Sequence, residues 1–223
     1  MNTTTFVRGQ RSSSTPVVTS IVFVVDDDIS VRESLELFIA DAGWRPELFA
    51  SAREFLARPR ARSPSCLVLD VSLPDLNGLE VQKLIHDERP EMPIIFITGH
   101  GDVPMTVQAM KGGAVEFLTK PFTPEVLVEA IESALRRSRA SLDEQARLQE
   151  LRDRHHSLSR REREVMALVV QGQLNKQVAG ELGISEITVK AHRGSMMRKM
   201  RASSLPDLVN IASLLGLQTP HEG

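Results

Sequence analysis

The sequence has one cysteine, Cys66, so it can form no internal disulfide, and a reducing cytosol is the expected setting. Long apolar runs are also missing. Ile21-Val22-Phe23-Val24-Val25 is typical of those present, far short of the ~20 residues needed to cross a bilayer. No apolar stretch follows Arg8 and Arg11, so no secretory leader is expected. No excess of one charge stands out, since 27 Lys and Arg face 29 Asp and Glu. With 41% hydrophobic and 25% charged residues, the composition excludes wholesale disorder and a collagen-like fibre. The 223 residues suit one large domain or two smaller ones.

The near-neutral total conceals an asymmetry. Residues 21–122 carry ten Lys and Arg against sixteen Asp and Glu, whereas 157–223 carry nine against six. An acidic body joined to a basic end fits a metal or phosphate site coupled to a polyanion-binding module, although surface charge also varies by chance.

Residues 1–20 are rich in Ser and Thr without apolar spacing and read as a disordered tail. From Ile21 onward, apolar runs alternate with amphipathic stretches. Strands are expected at Ile21–Val25, Pro46–Phe49, Cys66–Asp70, Pro93–Thr98 and Val115–Leu118. Ser30 with Glu33, and Ser51 with Glu54, have the spacing of capping boxes opening the intervening helices. Val31, Leu35, Phe38, Ile39 and Ala42 then follow helical spacing, and Gly43 stands where a helix-ending glycine belongs. Five strands alternating with helices predict an α/β domain with a parallel sheet.

Thr123 and Pro124 are placed to cap and start a fifth helix, buried through Leu127, Ile131 and Leu135. No Gly or Pro follows until Gly172, so this helix can continue through the charged segment 138–156. The expected division is a domain over 21–138, a helical linker over 139–156 and an all-α module over 157–218. In that module Ser159 and Glu162 form a further capping box. Helices are predicted over Asn175–Leu182, ended by Gly183, over Glu186–Met200, and over Leu205–Leu215. Helix, glycine-containing turn and capped helix make up a helix-turn-helix layout.

In an open parallel sheet, ligands bind outside the carboxyl ends of the strands. Asp26, Asp27 and Asp28 follow the first predicted strand, Asp70 and Thr98 end the third and fourth, and Lys120 follows the fifth. An aspartate at a strand end is, taken alone, more often a turn or cap residue. Together, close carboxylates call for a cation, and oxygen-only donors point to Mg²⁺. Lys120 and Thr98 would meet phosphoryl oxygens, and Asp70 is the better candidate for a nucleophile forming an aspartyl-phosphate.

The segments VVDDD (24–28), LVLD (67–70), LPDLNG (73–78), ITG (97–99) and KPF (120–122) resemble a response-regulator receiver domain. The run TGHGDVPMTVQAMKGGAVEFLTKPF is similar to the FixJ branch of the FixJ/NarL family. The resemblance implies a flavodoxin-like sheet of order 2-1-3-4-5. It also implies phosphorylation of Asp70 by a sensor histidine kinase, with Mg²⁺ held by Asp26, Asp27, Asp70 and the Ser72 carbonyl. Thr98 and Phe117 take the switch positions, although Phe117 reads equally as plain core. Lys120 takes the lysine position, and Lys120–Pro121 is a candidate cis peptide. Asp28 is expected beside the site, not in it. Phosphorylation would shift the face near 104–118 and pair two molecules.

The segment LSRREREVMALVVQGQLNKQVAGELGISEITVKAHRGSMMRKM (158–200) resembles the LuxR-type helix-turn-helix. Val189, His192, Met196 and Met200 mark an inward face, with Lys190, Ala191, Gly194 and Arg198 opposite and Arg193 on the flank. Lys190 is the expected base-edge or phosphate contact, with Ala191 and Gly194 allowing close approach. Arg193, Arg198 and Lys199 are expected on the DNA backbone, as are Asn175 and Lys176. Any one of these cations, taken alone, reads as a solvated surface charge. Leu174 stands where the family has Ser or Thr, so capping is expected to pass to Asn175. The resulting expectation is a cytoplasmic, promoter-binding transcription regulator, an activator, dimeric when phosphorylated, working with RNA polymerase and without a membrane. A Mg²⁺-dependent phosphohydrolase shares the carboxylates, Lys and Thr, but Val71-Ser72 supplies no second aspartate for a general acid.

Overall fold

The computed structural model describes residues 19–99 and 101–217. The tail expected over 1–20 therefore lies almost wholly outside the described residues. The chain forms two compact units, one extending to Leu142 and the other starting at Asp143.

The first unit contains β1 (Ile21–Val25), α1 (Ile29–Asp41), β2 (Arg45–Phe49), α2 (Ala52–Ala57), β3 (Ser65–Asp70), α3 (Gly78–Glu88), β4 (Ile94–Thr98), α4 (Val103–Lys111) and β5 (Glu116–Thr119). The strands are parallel in the order β2-β1-β3-β4-β5, the expected flavodoxin-like arrangement. The edges of several strands differ by one residue from the sequence expectation.

Strands β1, β3 and β4 are buried along their whole length because helices cover both faces of the sheet. Successive side chains point to opposite faces. Phe23, Val25, Leu67, Leu69 and Phe96 thus pack with Phe55 of α2 and Val81 and Ile85 of α3. Val22, Val24, Cys66, Val68, Ile95 and Ile97 pack on the other face with Leu35 and Ile39 of α1. The long helix α5 (Pro124–His156) adds Leu127, Ile131 and Ala134 to that second face.

One local expectation changes. The N-cap of α1 is Asp28, not Ser30, because the Asp28 carboxylate accepts from the Ser30 backbone N–H at 2.8 Å and from its hydroxyl at 2.6 Å. The expected linker is helical throughout, as part of α5. Ser138, just before it, is fully buried and holds the Ser65 N–H at 3.1 Å, while Leu151 is buried in the core of the second unit.

The second unit also contains α6 (Arg160–Val170), α7 (Asn175–Leu182), α8 (Glu186–Met200) and α9 (Leu205–Leu214). Val165, Val169, Val178, Val189, Met196, Met200 and Leu208 form its core. The Ser159–Glu162 capping box forms in full, and Gly183 closes α7 in the left-handed conformation at φ +65°.

Candidate functional site

At the carboxyl ends of β1, β3 and β5 a buried ion-pair cluster assembles. Asp26 follows β1 and is 1% exposed, while Asp70 ends β3 and is 5% exposed. Between them stands Lys120, whose Nζ donates to Asp26 Oδ2 at 2.7 Å and to Asp70 Oδ1 at 3.1 Å. Burial by itself lowers the pKa of this ammonium, but the hydrogen bonds and charges of Asp26 and Asp70 outweigh it and hold Lys120 above the usual lysine range. Residues 94 positions apart in the chain thus meet through sheet order alone.

The remaining oxygens have backbone partners. Asp70 Oδ2 accepts from the Ser72 N–H at 2.8 Å, and Asp26 Oδ1 from the Asp28 N–H at 2.9 Å. Thr98 is fully buried at the end of β4, next to β3. Its carbonyl accepts from the Lys120 N–H at 2.7 Å, which fixes the start of the Lys120–Pro121 segment, and that peptide bond is cis as expected. Phe117 is half-buried, with its ring centroid 6.1 Å from that of Phe96. Its position serves both readings made from the sequence, core residue and movable aromatic.

Asp27 is exposed, and Asp28 is occupied with the cap of α1. Among the described residues no three His, Cys, Asp or Glu side chains converge as a ready-made metal cage. The cluster offers the carboxylates of Asp26 and Asp70 as hard donors, with Asp27 exposed beside them.

Three supporting residues were given no role of their own from the sequence, although LPDLNG contains two of them. Gly78, the first residue of α3, is the most constrained. A Cβ there would lie 2.9 Å from the Asp70 carbonyl oxygen and 2.9 Å from Val71 Cα, so only glycine lets α3 start against the end of β3. Its position after the N-cap Asn77 was a usable signal. Asp75 reaches back to accept from the N–H groups of Ala52 and Arg53 at 3.3 and 3.0 Å, anchoring the loop after β3 to the start of α2. Arg32 Nη1 donates to the Asp26 carbonyl at 2.6 Å. The Asp75 contacts span more than twenty residues, whereas Arg32 lies only six residues after Asp26.

In the second unit, α8 presents Lys190, Ala191, Gly194 and Arg198 to solvent, opposite the buried Val189, Met196 and Met200. His192 is half-buried, as expected. Lys176 is exposed on the first turn of α7. Leu174 remains the N-cap of that helix without any side-chain acceptor, because Asn175 already lies inside the first turn. Asn175 Oδ1 instead accepts from Arg193 Nη1 at 3.1 Å, linking two residues expected to grip DNA separately. Lys199, also expected on DNA, is exposed and has an intramolecular partner. Its Nζ donates to the buried Glu162 at 2.7 Å and so ties α8 to α6.

Comparison with known proteins agrees with both halves. Residues 22–132 match the family described as "Response regulator receiver domain", and residues 156–212 match "Bacterial regulatory proteins, luxR family". Nodulation protein W of Bradyrhizobium diazoefficiens is 49% identical over 214 residues, covering 96% of this chain and 94% of that protein. The chain is a response regulator of the LuxR-type DNA-binding family.

This response regulator is also 44% identical to the transcriptional regulatory protein FixJ of Rhizobium meliloti over 192 residues, covering 86% of this chain and 94% of that one. Among solved structures it is similar to the response regulator StyR, with a TM-score of 0.78 at 44% identity over 87% of this chain and 98% of that one. It thus combines a receiver domain with a LuxR-type DNA-binding domain. Among the described residues no helix is long and apolar enough to cross a membrane.

Proposed function

We propose that this response regulator accepts a phosphoryl group on Asp70 from a sensor histidine kinase and then binds promoter DNA as a dimer. The observation that carries this reading is Lys120 bonded to both Asp26 and Asp70, with both acids buried. In the transfer, an Asp70 carboxylate oxygen bonds to phosphorus as the P–N bond to the kinase histidine breaks, its electron pair staying on the imidazole nitrogen. Lys120 stabilises the added negative charge, and Thr98 at the adjacent strand end meets a phosphoryl oxygen.

The donor set fits Mg²⁺, which takes few carboxylates and keeps several waters. Asp26, Asp27, Asp70 and the Ser72 carbonyl would hold it. When bound, the ion supplies positive charge that offsets repulsion between carboxylate and phosphoryl oxygens.

Val103, Val107 and Met110 are exposed along one side of α4, at 77%, 44% and 43%. This side supports pairing of two receivers, and pairing makes two weak DNA contacts act as one. The partners on this reading are the kinase, a second copy, the promoter and RNA polymerase, with the cytoplasm as the location. The reading includes no turnover of an external phosphate ester.

The test uses acetyl phosphate with Mg²⁺ on the wild type and on Asp70→Ala. One acyl-phosphate per chain, dimer formation and tighter duplex binding are expected only in the wild type. An undiminished response in Asp70→Ala, or steady release of phosphate from p-nitrophenyl phosphate, refutes the reading.

A further inference from the structure

The solvent side of α8 carries an isoleucine that the fold does not use. Ile187, in the first turn of the helix, is 79% exposed, while the core of this unit takes Val189, Met196 and Met200 from the opposite side. Ile187, Ala191, Gly194 and Arg198 follow steps of four, three and four, so they form one outward stripe. The stripe begins apolar, continues small and ends cationic. A Cβ on Gly194 would meet nothing within 4 Å, so the middle of the stripe is open to close approach.

The two hydroxyls near the helix start are committed to the cap. Ser185 Oγ accepts from the Thr188 N–H at 3.1 Å, and the two hydroxyls lie 2.8 Å apart. Lys190 is on one flank of the stripe, and Arg193 on the same flank is bonded to Asn175. The flanking and terminal cations suit phosphates, which leaves Ile187 facing whatever α8 enters. In a major groove the one apolar feature on a base edge is the C5-methyl of thymine.

We propose that Ile187 packs on a thymine methyl group and sets a thymine preference at one fixed position in each half-site. This rests on the DNA-binding reading and deepens it. Arg198, at the far end of the stripe, holds the helix on the backbone while Ala191 and Gly194 let it sink far enough for the isoleucine to reach the base. The preference arises from excluding water between two apolar groups, not from a hydrogen bond.

The test takes the full chain with acetyl phosphate and Mg²⁺ and recovers a duplex from a random library. Each thymine is then replaced in turn by deoxyuridine, which lacks only the methyl. The wild type is expected to lose about fourfold in affinity per half-site at one thymine, the weight of one buried methyl. Ile187→Ala should bind thymine and uracil duplexes equally, with unchanged thermal unfolding since the side chain is exposed. A wild type insensitive at every thymine overturns the proposal while leaving DNA binding intact, as does Ile187→Ala retaining the full thymine preference. Reduced self-association of Ile187→Ala without DNA would assign the residue to a second copy and also overturn it. Recovery of no duplex by the wild type would refute DNA binding itself, and this proposal with it.

Discussion

Lys199 Nζ donates to Glu162 Oε2 at 2.7 Å, joining the end of α8 to the first turn of α6 around a carboxylate whose side chain is 6% exposed. Glu162 also accepts from the Ser159 N–H at 2.6 Å, so one carboxylate completes a helix cap and a tertiary ion pair. Burial raises its pKa, but the hydrogen bonds from Lys199, Ser195 and the Ser159 N–H, with the Lys199 charge, prevail and hold it at about 2.

That depression sets an acid limit. The folded pKa lies below the ordinary value of 4.5, so the stabilisation is present above about 4.5 and is lost as pH falls toward about 2. Thermal unfolding of Glu162→Gln, followed by circular dichroism, should show a flatter dependence on pH across that window than the wild type. Parallel curves would show that the ion pair contributes nothing.

Lys190 and Lys199 should separate by function. Lys190 is exposed, so Lys190→Ala should leave unfolding unchanged and weaken specific duplex binding by ~1–3 kcal/mol. Lys199→Met should instead lower stability by about 1–3 kcal/mol, the lower end reflecting the partial solvation of the lysine. Gel shifts and urea unfolding of both variants measure the two effects.

Gly78→Ala should damage the phosphorylation pocket without touching its charges. The added Cβ would press on the backbone of Asp70 and Val71, costing about 1–3 kcal/mol of stability. Acetyl-phosphate labelling should slow, because the main chain that carries the acceptor must shift. Wild-type labelling rate and stability together would contradict the packing argument.

Lys120→Met should leave two nearly buried carboxylates without their cation, at a cost of about 3 kcal/mol. Adding Asp26→Asn should recover part of that loss while labelling of Asp70 stays impaired. Urea unfolding and labelling, measured on both variants, test the two claims separately.

Leu174→Thr should stabilise the second unit. The N-cap of α7 has no side-chain acceptor, only Gln177 Oε1 accepting from the Leu174 N–H at 2.7 Å. A threonine hydroxyl adds the missing half of the box, worth about 0.5–1 kcal/mol. A higher melting temperature is the expected result.

Much of this was legible in the chain because it is encoded locally. Apolar alternation located all five strands, and glycine punctuation with serine caps set α7 and α8 to the residue. Motifs at strand ends identified Asp26, Asp70, Thr98 and Lys120, because parallel topology sends every carboxyl end to one edge. The tertiary structure decided which polar group serves which partner. Asp28 took the cap assigned to Ser30, Asn175 turned to Arg193 instead of capping, and Lys199 was drawn to a buried Glu162. The last two choices depend on neighbours 18 and 37 residues away, and the last on a buried charge finding its counter-charge. Periodicity and spacing describe one segment at a time, and so they carry no record of that competition.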